Sequence, residues 1–358
     1  MVQKKILITG GAGFVGSSLA IGIKKKYPSY LIHCLDNLKR RGSELNIPRL
    51  QDHGVEFVHG DIRNHEDLTQ FESGITTIIE ASAEPSVLAG INNSPDYLIN
   101  TNLMGTINCL YLAAREKADF IFLSTSRVYP VEAIEQIRFS EEQSRFDITS
   151  HQVIEGISEK GIAEAFPLKG FRSLYGATKL SSELLIQEFN RFYDFRTVIN
   201  RCSVLSGPWQ MGKIDQGVMV LWVARHFWKK PLSYIGYGGK GKQVRDILHI
   251  DDLVRLVDYQ IHHMELLNGK TLNVGGGLKR SISLLELTEM CRRVTGNTID
   301  IAEISKNRDA DIRIYITDNS QVSELTGWEP AITTEEVVSQ IFSWIKDNEK
   351  NLRSIIGN

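Results

Sequence analysis

Five runs in the first third of the chain are apolar almost without a break: KKILIT (4–9), YLIHCLD (30–36), VEFVHGD (55–61), TTIIEAS (76–82) and DFIFLST (119–125). A strand with one wet face alternates apolar and polar residues, so uninterrupted Ile, Val, Leu and Phe predict strands buried on both faces. Between them the apolar positions recur at helical spacing, as over 14–26 and 96–115, and FRTVINR (195–201) reads as a sixth strand. Strand–helix–strand alternation predicts an α/β fold with a doubly wound parallel sheet.

The texture changes after residue 205. Short strand patterns (LSYIG, KQVRDILH, TLNVGG) mix with helices expected at 251–263, 283–294 and 333–348. We read 1–205 as one domain and 206–358 as mainly a smaller C-terminal lobe, partly interleaved with it. Residues 131–171 are polar and rich in Glu, Ser and Gly, and are expected to be an insertion of surface loops in the first domain.

Composition excludes more than it selects. The 358 residues carry a formal net charge of −2, with 42% hydrophobic and 23% charged residues, which is ordinary globular chemistry and lacks the basic stripe of a nucleic-acid binder. The run Ile6–Ile8 is too short for a signal peptide, and no stretch reaches the roughly 20 apolar residues of a membrane helix. Cys34, Cys109, Cys202 and Cys291 are scattered. They are expected to be reduced, buried thiols of a cytoplasmic protein, and no cluster has metal-ligand spacing.

The first strand runs into ITGGAGFVGSSLA, where Gly10, Gly13 and Gly16 form G-x-x-G-x-x-G. A chain that turns out of a strand, approaches a pyrophosphate and packs a helix on the sheet tolerates no side chain at such points. The helix that follows offers free N–H groups and the positive end of its dipole to phosphates. Asp36 ends the next strand, 20 residues after Gly16. A carboxylate there binds a ribose diol and repels a 2′-phosphate, which favours NAD over NADP in a Rossmann-type sheet, although Lys39, Arg40 and Arg41 lie close by. Asp61, in GDI, ends the third strand on the edge where such sheets bind ligands. It suits a cofactor contact or the cap of a helix over 64–72 equally well.

The fifth strand ends in Ser124, Thr125 and Ser126. Hydroxyls at that point either bond the loop backbone or face a ligand. Further on, RSLYGATKL places Tyr175 and Lys179 one turn apart on a helix expected over 174–193. On an arbitrary helix such a pair is a surface contact. Behind a dinucleotide cradle it suits general acid–base chemistry: a phenol of ordinary pKa about 10 is a poor base at neutral pH, and a neighbouring ammonium stabilises the phenolate.

Together, GGAGFVG, Asp36, GDI, the hydroxyls ending the fifth strand, YGATK and the late GWEP (327–330) resemble the extended short-chain dehydrogenase/reductase family over nearly the whole chain. The resemblance implies Tyr175 as acid/base, Lys179 as its partner and ribose ligand, and Thr125 as the assisting hydroxyl. It implies an NAD site of Gly10, Gly13, Phe14, Val15, Gly16, Asp36, Asn37, Arg40, Asp61, Ile62, Ala81, Ser82, Ala83, Asn102 and Ser124, together with Tyr175 and Lys179. For a nucleotide-diphosphate sugar it implies Thr125, Gln216, Arg245 and Arg308. The alternative for the two arginines is an ordinary ion pair with Asp246 or Asp309. It also implies a homodimer or homotetramer packed through the helices at 96–115 and 174–193.

Within that family, DNLKRRGSELN (36–46), DQGVMVLWVAR (215–225), GKGKQVRDILHIDDL (239–253) and LNVGGGLKRSISLLEL (272–287) are similar to the CDP-paratose 2-epimerase branch, as is the 46-residue gap from Tyr129 to Tyr175. The Asp-Glu pair of 4,6-dehydratases is replaced by Ser126 and Arg127, and Val204 stands where 4-epimerases hold an asparagine. The usual H-L-A-A is EASAEPS (80–86), with Glu80 and Glu84. The resemblance implies epimerisation of a nucleotide sugar, with C2 of a CDP-sugar favoured and C4 of a UDP-sugar as the alternative. An NAD-sensing scaffold on the same fold is the non-enzymatic alternative.

Overall fold

The computed structural model describes residues 4–71, 73–91, 93–212 and 216–357. Asp215, which opens one of the epimerase-like stretches, and Glu72, the expected end of the helix at 64–72, lie outside them. Two compact units form. The first comprises Met1–Val128, Leu174–Arg201 and Ile250–Leu272; the second comprises Tyr129–Ser173, Cys202–His249 and Asn273–Asn358.

The first unit is built on β1 (Lys5–Thr9), β2 (Leu31–Asp36), β3 (Glu56–His59), β4 (Thr77–Glu80) and β5 (Asp119–Thr125). The seven-stranded sheet runs Lys270–Val274, Thr197–Cys202, β5, β4, β1, β2, β3. β1 pairs in parallel with both β2 and β4, so the strand order reverses there. Ligands of open α/β sheets bind outside the strand ends at such a reversal. Both faces are covered, which is why Ile6, Leu7, Ile8, Phe120, Ile121 and Phe122 are all inaccessible.

TLNVGG, read as part of the smaller lobe, instead supplies the outer strand of this main sheet, and the helix Ile250–His262 packs on α1 (Phe14–Lys26) in the same unit. The helix expected over 96–115 forms, with a π-turn at Asn100–Met104 joining Asp96–Ile99 to Gly105–Glu116. Within the π-turn the Asn102 carbonyl accepts the Ser182 hydroxyl at 2.9 Å, and such side-chain bonds compete with the regular helical ladder.

In the second unit, Val244–His249 pairs with Val204–Ser206, Ser281–Ser283 and Ile314–Tyr315. Residues 131–171 are not merely surface loops. They form the helix Val131–Glu135 and two small hairpins, and they bury Phe146, Ile162 and Phe166 in this unit. Their apolar residues are too sparse to show a period, yet each fills core.

Candidate active site

β1 ends at the glycine turn. Gly10 takes φ +64°, and a Cβ there would lie 2.8 Å from the Ala81 carbonyl oxygen. A Cβ on Gly16 would lie 2.3 Å from the Gly10 carbonyl oxygen. The turn therefore admits backbone alone. α1 starts after Gly13 with no side-chain cap and no acidic residue in its first turn, which leaves its leading N–H groups, at Phe14 and Val15, for an anion. Asp36 closes the turn from β2: its carboxylate accepts the Ala12 N–H at 3.1 Å and the Leu38 N–H at 2.8 Å. Burial pushes this carboxyl above its ordinary value, while the N–H groups of Leu38, Ala12 and Gly13 draw it back. A cradle that a Cβ would fill, an uncapped helix start and a carboxylate at the second strand end fit NAD.

The remaining cofactor candidates surround that turn. Asn37 donates to Asp61 at 2.9 Å, and Arg63 chelates Asp61 through Nε and Nη2. Burial raises the Asp61 carboxyl, but Arg63 and Asn37 together outweigh it and hold the group below its usual range. Asp61 is not the helix cap. Asn64 caps the short helix His65–Thr69 by accepting the Glu66 N–H. Ile62 is buried, and its side chain occupies the space a Cβ on Gly105 would need. Arg40 is half-buried beyond β2, and Ala81, Ser82 and Ala83 follow β4 at the strand-end edge. Asn102 is fully buried and pins that edge, accepting the Glu84 N–H at 2.8 Å and donating to the Glu84 carbonyl and to Thr178. The Glu84 carboxylate in turn accepts the Ser86 N–H, so Glu84 shapes its own turn.

The helix Leu174–Phe192 lies along β5 and carries Tyr175 and Lys179, both buried, the lysine at 1% exposure. The Lys179 ammonium sits 3.7 Å from the centre of the Phe122 ring, a cation–π contact that suits a charge removed from water. Thr125 is buried at the end of β5, and its oxygen accepts the Arg127 N–H at 3.2 Å. Its own proton remains available as a donor. The Ser124 hydroxyl turns the other way and donates to Glu183, which Arg201 grips through Nε at 3.1 and 3.2 Å and Nη2 at 2.7 Å. Glu183 stands one turn beyond Lys179.

Two groups were not singled out for these roles by sequence reasoning. The Glu183–Arg201 pair is one. The other is Glu80, noted only as a departure from the usual motif and now found fully buried beside Lys179. The signal was present in both: a charged residue inside a strand otherwise apolar.

In the second unit, Arg245 donates from Nη2 to Asp311 at 2.9 Å and to the Ile312 carbonyl at 2.6 Å, and from Nη1 to the Val244 carbonyl. Its ion pair is with Asp311, not Asp246. Successive strand residues point to opposite faces, and Asp246 is buried, accepting the Gly277 N–H. Arg308 is half-buried in the segment between Ile301–Ile304 and Ile314–Tyr315, and Gln216 stands two residues before the helix Val218–Phe227. All four cysteines are buried free thiols. Among the described residues no group of three His, Cys, Asp or Glu could hold a metal, and no helix is long and apolar enough to cross a membrane.

The glycine turn and Asp36 on a covered parallel sheet mark a nucleotide-binding protein of the α/β class. The chain belongs to the NAD dependent epimerase/dehydratase family, whose profile matches residues 6–275. It is 28% identical to CDP-paratose 2-epimerase of Salmonella typhi over 354 residues, 95% of this chain and 98% of that one. It is also 28% identical to UDP-glucuronate 4-epimerase of Thermodesulfobacterium geofontis, covering 98% of both. Among solved structures, a dTDP-glucose 4,6-dehydratase variant from Streptomyces venezuelae with NAD bound superposes with a TM-score of 0.78 at 25% identity, covering 96% of this chain and 98% of that one. The UDP-glucuronic acid 4-epimerase of Bacillus cereus, with UDP-glucuronic acid and NAD, gives 0.77 at 24%, covering 96% and 99%, and speaks for the fold. The family is NAD-dependent, and NAD is the cofactor.

Proposed function

We propose that this protein is a nucleotide-sugar epimerase acting at C2 of a CDP-linked sugar, with Tyr175 as the acid/base. The observation that carries the reading is the buried Tyr175–Lys179 pair lying along the hydroxyl-tipped β5 of an NAD-type sheet. Bound NAD supplies hydride acceptance and return at the sugar carbon. The chain does the rest. The Tyr175 phenolate takes the proton of the sugar hydroxyl, Lys179 stabilises that phenolate and holds the ribose, and Thr125 donates a hydrogen bond to the same oxygen. Once the keto-sugar has turned its other face, hydride return at the carbon inverts the centre and Tyr175 gives the proton back to the oxygen, with no net oxidation. The cofactor set named above, from Gly10 to Ser124, holds the dinucleotide, and the first unit, of Met1–Val128, Leu174–Arg201 and Ile250–Leu272, is the NAD-binding part. Gln216, Arg245 and Arg308 serve the nucleotide diphosphate, because guanidinium forks match phosphate oxygens.

Similarity to CDP-paratose 2-epimerase supports C2, as do the stretches after residue 239. A second reading, C4 of a UDP-sugar, rests on equal identity to a UDP-glucuronate 4-epimerase. Ser126 and Arg127, in place of an acidic pair, weigh against a dehydratase. The experiment is to release and identify the bound nucleotide, then follow CDP-, UDP- and GDP-sugars by NMR. Inversion at C2 of a CDP-sugar, lost in Tyr175→Phe with the fold and NAD retained, is expected. Undiminished turnover by that variant would overturn the assignment of the phenol. Absence of isotope exchange into any nucleotide sugar would leave an NAD-binding scaffold instead.

A further inference from the structure

Glu80 ends β4, where its register partners are Thr9 on β1 and Phe122 on β5. Side chains in register on adjacent strands, roughly 5 Å apart, share one face of a sheet. Glu80 therefore stands beside the ring on which the Lys179 ammonium rests. Its carboxyl is fully buried. Oε1 accepts the Thr106 hydroxyl at 2.9 Å, and Oε2 has no hydrogen-bond partner. A carboxylate this deep persists only beside a compensating charge. The titratable groups facing it are Lys179, from the helix Leu174–Phe192, and Cys109, from the helix Gly105–Glu116. Burial, with Glu80 nearby, keeps Cys109 a neutral thiol well above its ordinary range. β1 presents Thr9 and β5 presents Phe122, neither of which titrates. Lys179 is thus the one charge on these elements that Glu80 answers.

We propose that Glu80 is a positioning residue for the acid/base pair: its carboxylate is the counter-ion that keeps the Lys179 ammonium inward and moderates the pull of that ammonium on the Tyr175 phenol. This deepens the assignment of Tyr175 and Lys179 and rests on it. The physical logic concerns a base that must also return its proton. An unbalanced ammonium would favour phenolate so strongly that the second half of the reaction would lack an acid. Burial pushes the Glu80 carboxyl up to about 7, against the opposing effect of Lys179 and Thr106. Above that value it is ionised.

The test titrates phenolate absorbance in the protein as purified. Subtracting the Tyr175→Phe titration from that of the parent isolates Tyr175, and the same subtraction is made in a Glu80→Gln background. Removing one buried negative charge beside Lys179 is expected to lower the Tyr175 midpoint by about one pH unit and to move the acid limb of kcat/KM equally. Thr106→Val, which removes the hydroxyl bond but keeps the carboxylate, should move it far less, and Glu80→Ala carries the test should Glu80→Gln fail to fold. A midpoint that stays in place or rises in the Glu80 variants overturns the proposal. The titration needs no turnover, so a protein that epimerises nothing but shows the shift sinks the proposed function and leaves Glu80 its role.

Discussion

Arg201→Met is the most informative single substitution in the first unit. Arg201 and Glu183 are 6% and 1% exposed at the side chain, and the guanidinium makes three contacts with the carboxylate, of 2.7, 3.1 and 3.2 Å. Methionine fills most of the volume but leaves Glu183 buried with only the Ser124 hydroxyl as a named partner. Removing one member of a buried ion pair typically destabilises by about 3–5 kcal/mol, which for a unit of this size lowers the unfolding temperature by roughly 10 °C. Calorimetry on the parent and variant reads this directly. The double variant Arg201→Met/Glu183→Leu removes both charges and should regain most of the loss, since an apolar pair of similar volume is often as stable as the ion pair it replaces. The network also ties Ser124, next to Thr125, to the helix that carries Tyr175 and Lys179. Arg201→Met should therefore lower kcat more than it raises KM. A single variant as stable as the parent, or a double variant no better than the single, would refute this account of the pair.

Gly16→Ala would place a Cβ 2.3 Å from the Gly10 carbonyl oxygen; we expect NAD binding, followed by fluorescence of the reduced cofactor, to weaken at least tenfold together with a loss of thermal stability. Asp36→Asn keeps one acceptor for the Ala12 or Leu38 N–H but removes the charge that repels a 2′-phosphate, so the preference for NAD over NADP should narrow by about tenfold in competitive titration. Glu80 sets a pH dependence of stability. Its folded value of about 7 lies above the ordinary 4.5, so the folded state binds the extra proton between those limits and stability falls as pH rises through them. Relative to Glu80→Gln, the parent should lose on the order of a few kcal/mol across that window; parallel stability curves for the two proteins would contradict the burial of this carboxyl.

The main sheet was legible because burial on both faces writes an uninterrupted apolar run, and five such runs lie where β1 to β5 form. The glycine turn was legible for a related reason: steric exclusion leaves only one residue type at Gly10 and Gly16. Two features were hidden. Residues 131–171 contribute Phe146, Ile162 and Phe166 to the second unit's core from short irregular pieces, and scattered contributions leave no period to read. TLNV is four residues of ordinary strand pattern, and nothing local says which sheet it joins; only the pairing with Thr197–Cys202 decides that.

The polar residues inside apolar strands carried more information than their neighbours. Glu80, Ser124, Thr125 and Arg201 all occupy the carboxyl-terminal ends of strands in the main sheet. Burying such groups is unfavourable unless each finds a partner. Here the partners lie largely on one helix: Lys179 answers Glu80, and Glu183 answers both Ser124 and Arg201. The helix is thereby fixed to the sheet by the Glu183–Arg201 ion pair as well as by packing, one turn beyond Lys179 and two beyond Tyr175. Apolar packing alone tolerates small slips along a smooth groove, whereas a buried ion pair does not. A phenol that must meet a sugar hydroxyl within a fraction of an ångström gains from that second constraint. Charges that look misplaced in the pattern of hydrophobic positions are, on this reading, what holds the reacting group in place.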